Sequence, residues 1–170
     1  MQIQTAAADY SLKEEIAHSV THGIGALLSV IGLATLILHA SKYGDVWHIV
    51  SASIYGSTLI ALYTSSTLYH SVTLPDLKRF LRKLDHAAIF LLIAGTYTPF
   101  TLVNLRGGWG WTLFGLVWVI AVAGMVMELI VRRRYKRLSI GLYLGLGWLV
   151  AIANLLGAVS LFPGAKAVEW

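Results

Sequence analysis

The sequence contains no cysteine and few charged residues. Without cysteine the chain can form neither a disulfide nor a thiolate metal site, so any metal would need histidine, carboxylate or water. Charged residues make up only 12% of the 170 positions, about half of the roughly 25% found in ordinary soluble domains. Hydrophobic residues make up 57%. This composition indicates an integral membrane protein.

The sequence does not predict a cleaved signal peptide either. Residues 1–15, MQIQTAAADYSLKEE, have neither the basic start nor the short apolar stretch of a signal peptide. We therefore expect the first hydrophobic segment to remain in the mature protein.

Five segments are long and apolar enough to cross a bilayer, which takes about twenty residues. They cover roughly 18–40, 46–70, 85–105, 109–131 and 138–162. No soluble domain is left over, and the short connections make sequential helices antiparallel neighbours. The sequence thus predicts one all-α transmembrane bundle over 1–170.

A further short helix is predicted over about 75–84, before the third span. Leu77, Phe80, Leu81 and Leu84 recur there at helical spacing with basic residues between them. Such a pattern favours an amphipathic helix lying in the membrane interface, where cations meet anionic headgroups.

Lysine and arginine residues are distributed unequally between the two sides of this topology. Ten of the thirteen lie on the side of the N-terminus, and short cytoplasmic loops carry the positive excess. We therefore expect a multi-pass protein of the cell (inner) membrane with a cytoplasmic N-terminus. The basic residues lie in short runs between apolar segments, so the net charge of +5 does not indicate nucleic-acid binding.

Four of the six histidines fall at the predicted cytoplasmic helix ends: His18, His22, His70 and His86. Ser66 and His70 are four residues apart and share a helix face, so the serine hydroxyl can hold one imidazole nitrogen. Asp85 opens the third span at the same depth. A histidine beside a carboxylate is a reasonable start for a zinc site.

Ordinary structural roles explain the same residues. A histidine at a membrane boundary can extend its ring into the headgroups, and Asp85 can simply favour the start of a helix through the helix dipole. Spacing alone leaves both interpretations open.

Three groups of residues together resemble the bacterial hemolysin III branch of the progestin and adipoQ receptor family. They are Glu15-Ile16-Ala17-His18-Ser19-Val20-Thr21-His22-Gly23-Ile24-Gly25, Ser66-x-x-x-His70, and Leu84-Asp85-His86-x-x-Ile89-Phe90 followed by Gly95-Thr96-Tyr97-Thr98-Pro99. Their order and spacing fit from about residue 12 to the end of the chain.

The resemblance implies a seven-helix bundle with a cytoplasmic N-terminus and a zinc ion near the inner leaflet. It implies that His70 is a direct zinc ligand, that Asp85 holds the zinc-bound water and that Ser66 supports the site. Its relatives include zinc-dependent lipid amidases, so the implied substrate is a membrane lipid with an amide bond.

Two departures from the family pattern affect the expected site. His18 stands where the family usually has asparagine, and the sequence, with five predicted spans, does not contain the seventh-helix segment whose His-x-x-x-His pair supplies two further ligands. Catalytic zinc keeps three protein ligands. Three explanations follow. The chain is a truncated form, which we favour. Otherwise His22, His18 or His86 supply the missing zinc ligands, or the protein binds no metal. In a truncated bundle, lipid or further copies of the chain would cover the faces left open.

Two activities follow as hypotheses. A receptor-like bundle that catalyses no reaction is a third alternative. The first is a zinc-dependent hydrolase or sensor that acts in membrane lipid homeostasis. The second is a pore-forming hemolysin or channel-like protein, although no span carries the polar stripe along its length that an aqueous path requires.

Overall fold

The computed structural model describes residues 10–130 and 140–148. Its elements are α1 (Leu12–Tyr43), α2 (Val46–Ser71), α3 (Pro75–Pro99), a π-helical turn (Phe100–Asn104) and α4 (Gly108–Ile130), and residues 140–148 are helical. Within these residues, four helices are long and apolar enough to cross a membrane, α3 being counted together with the π turn. The predicted all-helical membrane fold is confirmed. Most of the predicted span 138–162 lies outside the described residues.

Each helix begins where the sequence supplies a start signal. Ser11 and Glu14 form a capping box at the start of α1, Asp45 caps α2, and Pro75 occupies the first position of α3. The connections between the helices are only two or three residues long, which makes neighbouring helices antiparallel. The start of α1, the end of α2, the start of α3 and the end of α4 therefore meet at one end of the bundle.

The third helix differs from its prediction. The sequence predicts a separate interfacial helix over 75–84 and a span over 85–105, whereas the structure has one continuous helix from Pro75 to Pro99. No glycine or proline interrupts the chain between 76 and 94, so nothing breaks the backbone hydrogen bonds where the polarity changes. Pro99, which lacks an N–H, is followed directly by the π turn.

Two lysines of this first part of α3 cap neighbouring helices. Lys78 Nζ donates to the carbonyl oxygens of Tyr69, at 3.3 Å, and Val72, at 3.2 Å, at the end of α2. Lys83 Nζ donates to the carbonyl of Leu129 at the end of α4, at 2.9 Å. The last carbonyls of a helix lack intrahelical partners and carry the negative end of its dipole. These cations therefore stabilise the bundle itself, a role that the predicted headgroup contact did not include.

The core lies between α3, α4 and the helical residues 140–148. Its buried members are Phe90, Ala94, Tyr97, Val117, Ala121 and Leu146. The Tyr97 hydroxyl donates to the carbonyl of Leu146, at 2.6 Å. This bond and the surrounding packing fix residues 140–148 against α3.

Close approach of α3 and α4 requires a glycine at one position. A Cβ on Gly124 would overlap the ring of Phe90, which is fully buried, whereas a Cβ on Gly115 of the same helix would meet nothing. Small residues of this kind let apolar helices pack without a hydrophobic driving force.

We expect Gly124→Val to lower the melting temperature of the detergent-solubilised protein, because overpacking a filled core costs about 1–3 kcal/mol. Gly115→Val is the matched control, since it makes the same change on the same helix in open space. Equal melting temperatures for the two variants would contradict this packing argument.

The opposite end of the bundle is held by Asp45, which links two loops. Its carboxylate caps α2 and accepts a bond from Arg106 Nη1, at 2.7 Å, while its other oxygen lies 2.8 Å from His48 Nδ1. The Arg106 guanidinium lies over the ring of Trp47, which packs edge-on against Trp111. We call this set the tryptophan end. The bond from the His48 side chain, with others from Arg106 and the backbone, holds the pKa of Asp45 well below its usual range.

The depressed pKa of Asp45 makes its contribution to stability depend on pH. A group of this kind stabilises the fold above its unfolded pKa, about 3.9 for aspartate, and the stabilisation is lost as the pH falls towards the folded value. Asp45→Asn keeps a capping side chain but removes the charge. We expect this variant to melt below the unchanged protein at pH 7, and the difference to shrink below about pH 4. A difference independent of pH would show that the charge of Asp45 has no part in it.

Candidate functional site

Three helices bring ionisable side chains together at the end of the bundle opposite the tryptophan end. Glu15, His18 and His22 lie on the first turns of α1, His70 lies on the last turn of α2, and Lys78 lies on the first turn of α3. We call these five residues the histidine end.

At 32 residues, α1 is about 48 Å long at 1.5 Å per residue, longer than a hydrocarbon core of roughly 30 Å. Its first turns can therefore lie in the membrane interface.

Glu15 is the centre of this arrangement. Its Oε2 lies 2.7 Å from His70 Nδ1 and its Oε1 lies 2.9 Å from Lys78 Nζ. The side chains of His70 and Glu15 are only 9% and 12% exposed. One carboxylate thus joins α1, α2 and α3.

The other two histidines of α1 lie beside His70. The ring centroids of His18 and His70 are 4.8 Å apart, and those of His22 and His70 are 6.0 Å apart. Tyr10, just before α1, packs edge-on against both His18 and His70. The structure therefore brings together three of the four predicted histidines.

His22 differs from its neighbours in its hydrogen bonding. Its Nδ1 is buried and has no hydrogen-bond partner in the described part of the chain, although most buried polar atoms in proteins have one. This nitrogen is available to a ligand.

Asp85 and His86 form a separate pair on α3. The side chain of Asp85 is 16% exposed, and its Oδ2 lies 3.7 Å from His86 Nδ1. His86 Nδ1 also donates to the carbonyl of Arg82 on its own helix, at 2.8 Å. His86 is therefore engaged with α3 rather than with the other histidines.

Ser66 is buried one turn before His70, at 3% exposure. The sequence predicts that its hydroxyl holds an imidazole nitrogen of His70, but in the structure the Nδ1 nitrogen bonds to Glu15. No hydrogen bond between Ser66 and His70 is found in residues 10–130. The predicted supporting role of Ser66 stays a prediction.

The predicted zinc ion can be tested against these donors. Among residues 10–130 and 140–148, no three histidine or acidic side chains are arranged so that they could hold a metal ion. The donors nevertheless suit zinc in kind, because a metal-bound histidine ordinarily gives its other ring nitrogen to a carboxylate, as His70 gives Nδ1 to Glu15. The described residues therefore fit a zinc ion in the chemistry of their donors but are not arranged to hold it.

Sequence reasoning missed the roles of Glu15, Lys78 and Tyr143. Glu15, His18 and His22 are spaced i, i+3 and i+7, so one face of α1 carries all three, and this signal was present in the sequence. No sequence signal places Lys78 beside Glu15. Tyr143 donates its hydroxyl to the carbonyl of His86, at 3.0 Å, and so holds residues 140–148 beside the Asp85 turn.

Comparison with known proteins finds a matching family model and similar bacterial proteins. Residues 10–168 match the family model described as Haemolysin-III related. The chain is 46% identical to Hemolysin-3 of Bacillus cereus, over 84% of this chain and 65% of that protein. It is 49% identical to the Hemolysin-3 homolog of Bacillus subtilis (strain 168), over 85% of this chain and 68% of that protein.

A more distant relative comes from animals. The Monocyte to macrophage differentiation factor of Homo sapiens is 27% identical, over 82% of this chain and 59% of that protein. The chain thus spans about two thirds of the length of the bacterial relatives it matches. No solved structure matches the chain.

Proposed function

Because the chain belongs to the haemolysin-III related family, we propose that its histidine end is part of a zinc site of a hydrolase or sensor that acts in membrane lipid homeostasis. The resemblance predicted from the motifs is confirmed by these matches, and the multi-pass membrane fold by the four candidate spans. The zinc ion, the lipid and the activity belong to the proposal.

One observation carries the proposal. His70 is held by a buried carboxylate through Nδ1, which leaves Nε2 as the nitrogen available to a metal. His70 would be the first ligand, and His22 offers a second nitrogen, which has no hydrogen-bond partner among the described residues. A third ligand would come from His18, after a change of its side-chain conformation, or from residues outside the described part of the chain.

The chemistry of such a site follows from its donors and its position. When bound, zinc would supply a Lewis acid that polarises an amide carbonyl. Asp85, partly exposed on the first half of α3, would accept a proton at its carboxylate during hydrolysis. The site lies near the end of the bundle, where the amide of a lipid headgroup can reach it without entering the hydrocarbon core. In a sensor, the same residues would bind the lipid without cleaving it.

Metal content tests this proposal directly. We expect the protein purified with zinc to retain the ion through dialysis, and His70→Ala to lose most of it, because a ligand has been removed. His39→Ala is the matched control, since His39 is an exposed histidine near the far end of α1. Equal zinc in the unchanged protein and in His70→Ala, or no zinc in either, would contradict the proposal.

Pore formation is the second candidate, favoured by the name of the relative from Bacillus cereus. Ser51, Thr58 and Ser66 form a polar row along one face of α2 that was not expected from the sequence, but all three are buried. A water-filled path requires exposed polar groups along its length. The burial of this row supports a role in helix packing rather than in a channel.

Liposomes separate the two candidates. We expect vesicles that contain the reconstituted protein to retain a trapped dye at every protein density, as vesicles without protein do. Release that rises steeply with protein density would favour a pore built from several copies, and would count against a function confined to the histidine end.

A further inference from the structure

We infer that Glu15 is a positioning residue for His70, fixing the ring proton on Nδ1 and leaving the lone pair of Nε2 for a ligand, with Lys78 holding the Glu15 carboxylate in place. The expectation that Nε2 of His70 binds a metal rests on the proposed function. The protonation pattern does not, because it depends only on contacts among the helices.

The geometry gives each oxygen of Glu15 its own donor. Oε2 is 2.7 Å from His70 Nδ1 and Oε1 is 2.9 Å from Lys78 Nζ. Lys78 is itself fixed, since the same nitrogen donates to the carbonyls of Tyr69 and Val72. The carboxylate therefore cannot turn away from His70 without breaking its bond to Lys78.

The chemistry of the three groups decides where the proton lies. An ammonium group has only donors, and an ionised carboxylate has only acceptors. Because Lys78 keeps Glu15 in its charged, accepting form, the proton between Glu15 and His70 must belong to the imidazole. Neutral histidine carries one ring proton, so a proton on Nδ1 leaves Nε2 unprotonated.

Other neighbours of His70 constrain its ring without setting its proton. Tyr10, His18 and Tyr69 pack against the ring with centroids 5.6, 4.8 and 4.5 Å away. Ring contacts of this kind depend on shape and on the quadrupole of the rings. They restrict the ring's orientation, and Glu15 is the neighbour that distinguishes its two nitrogens.

Replacing Glu15 by glutamine changes the pattern in a defined way. Glutamine offers one accepting oxygen and one donating NH₂ group, while Lys78 can only donate. The glutamine oxygen will bond to Lys78, and its NH₂ group will then face His70 Nδ1. This nitrogen must accept, which moves the ring proton to Nε2.

The experiment is nitrogen NMR of the 170-residue chain in lipid nanodiscs, with ¹⁵N-labelled histidine and without metal, at alkaline pH where imidazoles are neutral. We expect His70 to carry its proton on Nδ1 in the unchanged protein and mainly on Nε2 in Glu15→Gln. In the double variant Glu15→Gln with Lys78→Met, the glutamine oxygen no longer has a competing donor, so the proton should return to Nδ1.

Two controls separate positioning from misfolding. Glu14→Gln makes the same change one residue earlier, in the capping box and away from His70, so it should leave the His70 pattern unchanged. His86 serves as an internal reference, because its Nδ1 donates to the Arg82 carbonyl and should stay protonated in every variant that keeps α3 folded. A His70 proton on Nε2 in the unchanged protein, a ring protonated on both nitrogens, or no shift in Glu15→Gln would overturn the inference.

Zinc titration of the same samples distinguishes this inference from the proposed function. Loss of a carboxylate partner of a metal-bound histidine lowers metal affinity roughly 10–100-fold, which we expect for Glu15→Gln but not for Glu14→Gln. If the unchanged protein shows the expected proton on Nδ1 but binds no zinc, the positioning role of Glu15 stands and the proposed function fails.

Discussion

The histidine end depends on one buried carboxylate that joins three helices. Glu15 of α1 accepts from His70 of α2 and from Lys78 of α3. A buried charge is costly unless its partners satisfy it, so these helices must meet where both donors reach the same side chain. Hydrogen bonds to charged groups contribute about 1.5–3 kcal/mol each. The short turn between α2 and α3 makes the arrangement possible, because it returns Lys78 to the level of His70.

Ion pairs join the helices at both ends of the bundle, and close packing joins them in the middle. At the tryptophan end, Asp45 caps α2 and pairs with Arg106 from the loop before α4. Between the ends no such pairs join the described helices, and the contact depends on close packing, as where Phe90 fills the space beside Gly124. This division follows from the solvent, because charges are tolerated near water and headgroups, whereas small residues permit tight packing within the hydrocarbon.

The sequence predicted the helices and the gathering of histidines because both follow from periodicity and loop length. It could not predict the bond between Glu15 and His70, which are 55 positions apart and meet only if α1 has one particular rotation about its axis. It favoured Ser66 as the partner of His70, yet a charged acceptor forms a stronger bond than a hydroxyl. The sequence predicted a division of α3 at Leu84 because the polarity of the side chains changes there. The helix continues through this point because its backbone hydrogen bonds do not depend on side-chain polarity.

Stability and chemistry are joined at Glu15, and Lys78 contributes to both. The two nitrogens of an imidazole point in different directions, so a bond from Nδ1 to Glu15 directs Nε2 elsewhere, within a cluster that includes the His18 and His22 rings. Any change at Glu15 therefore alters both the contact between α1 and α2 and the nitrogen that a ligand would meet. Lys78 contacts the carboxylate and the end of α2 but not the ring. Its loss would weaken the junction of the helices and would also free the Glu15 carboxylate to turn away from His70.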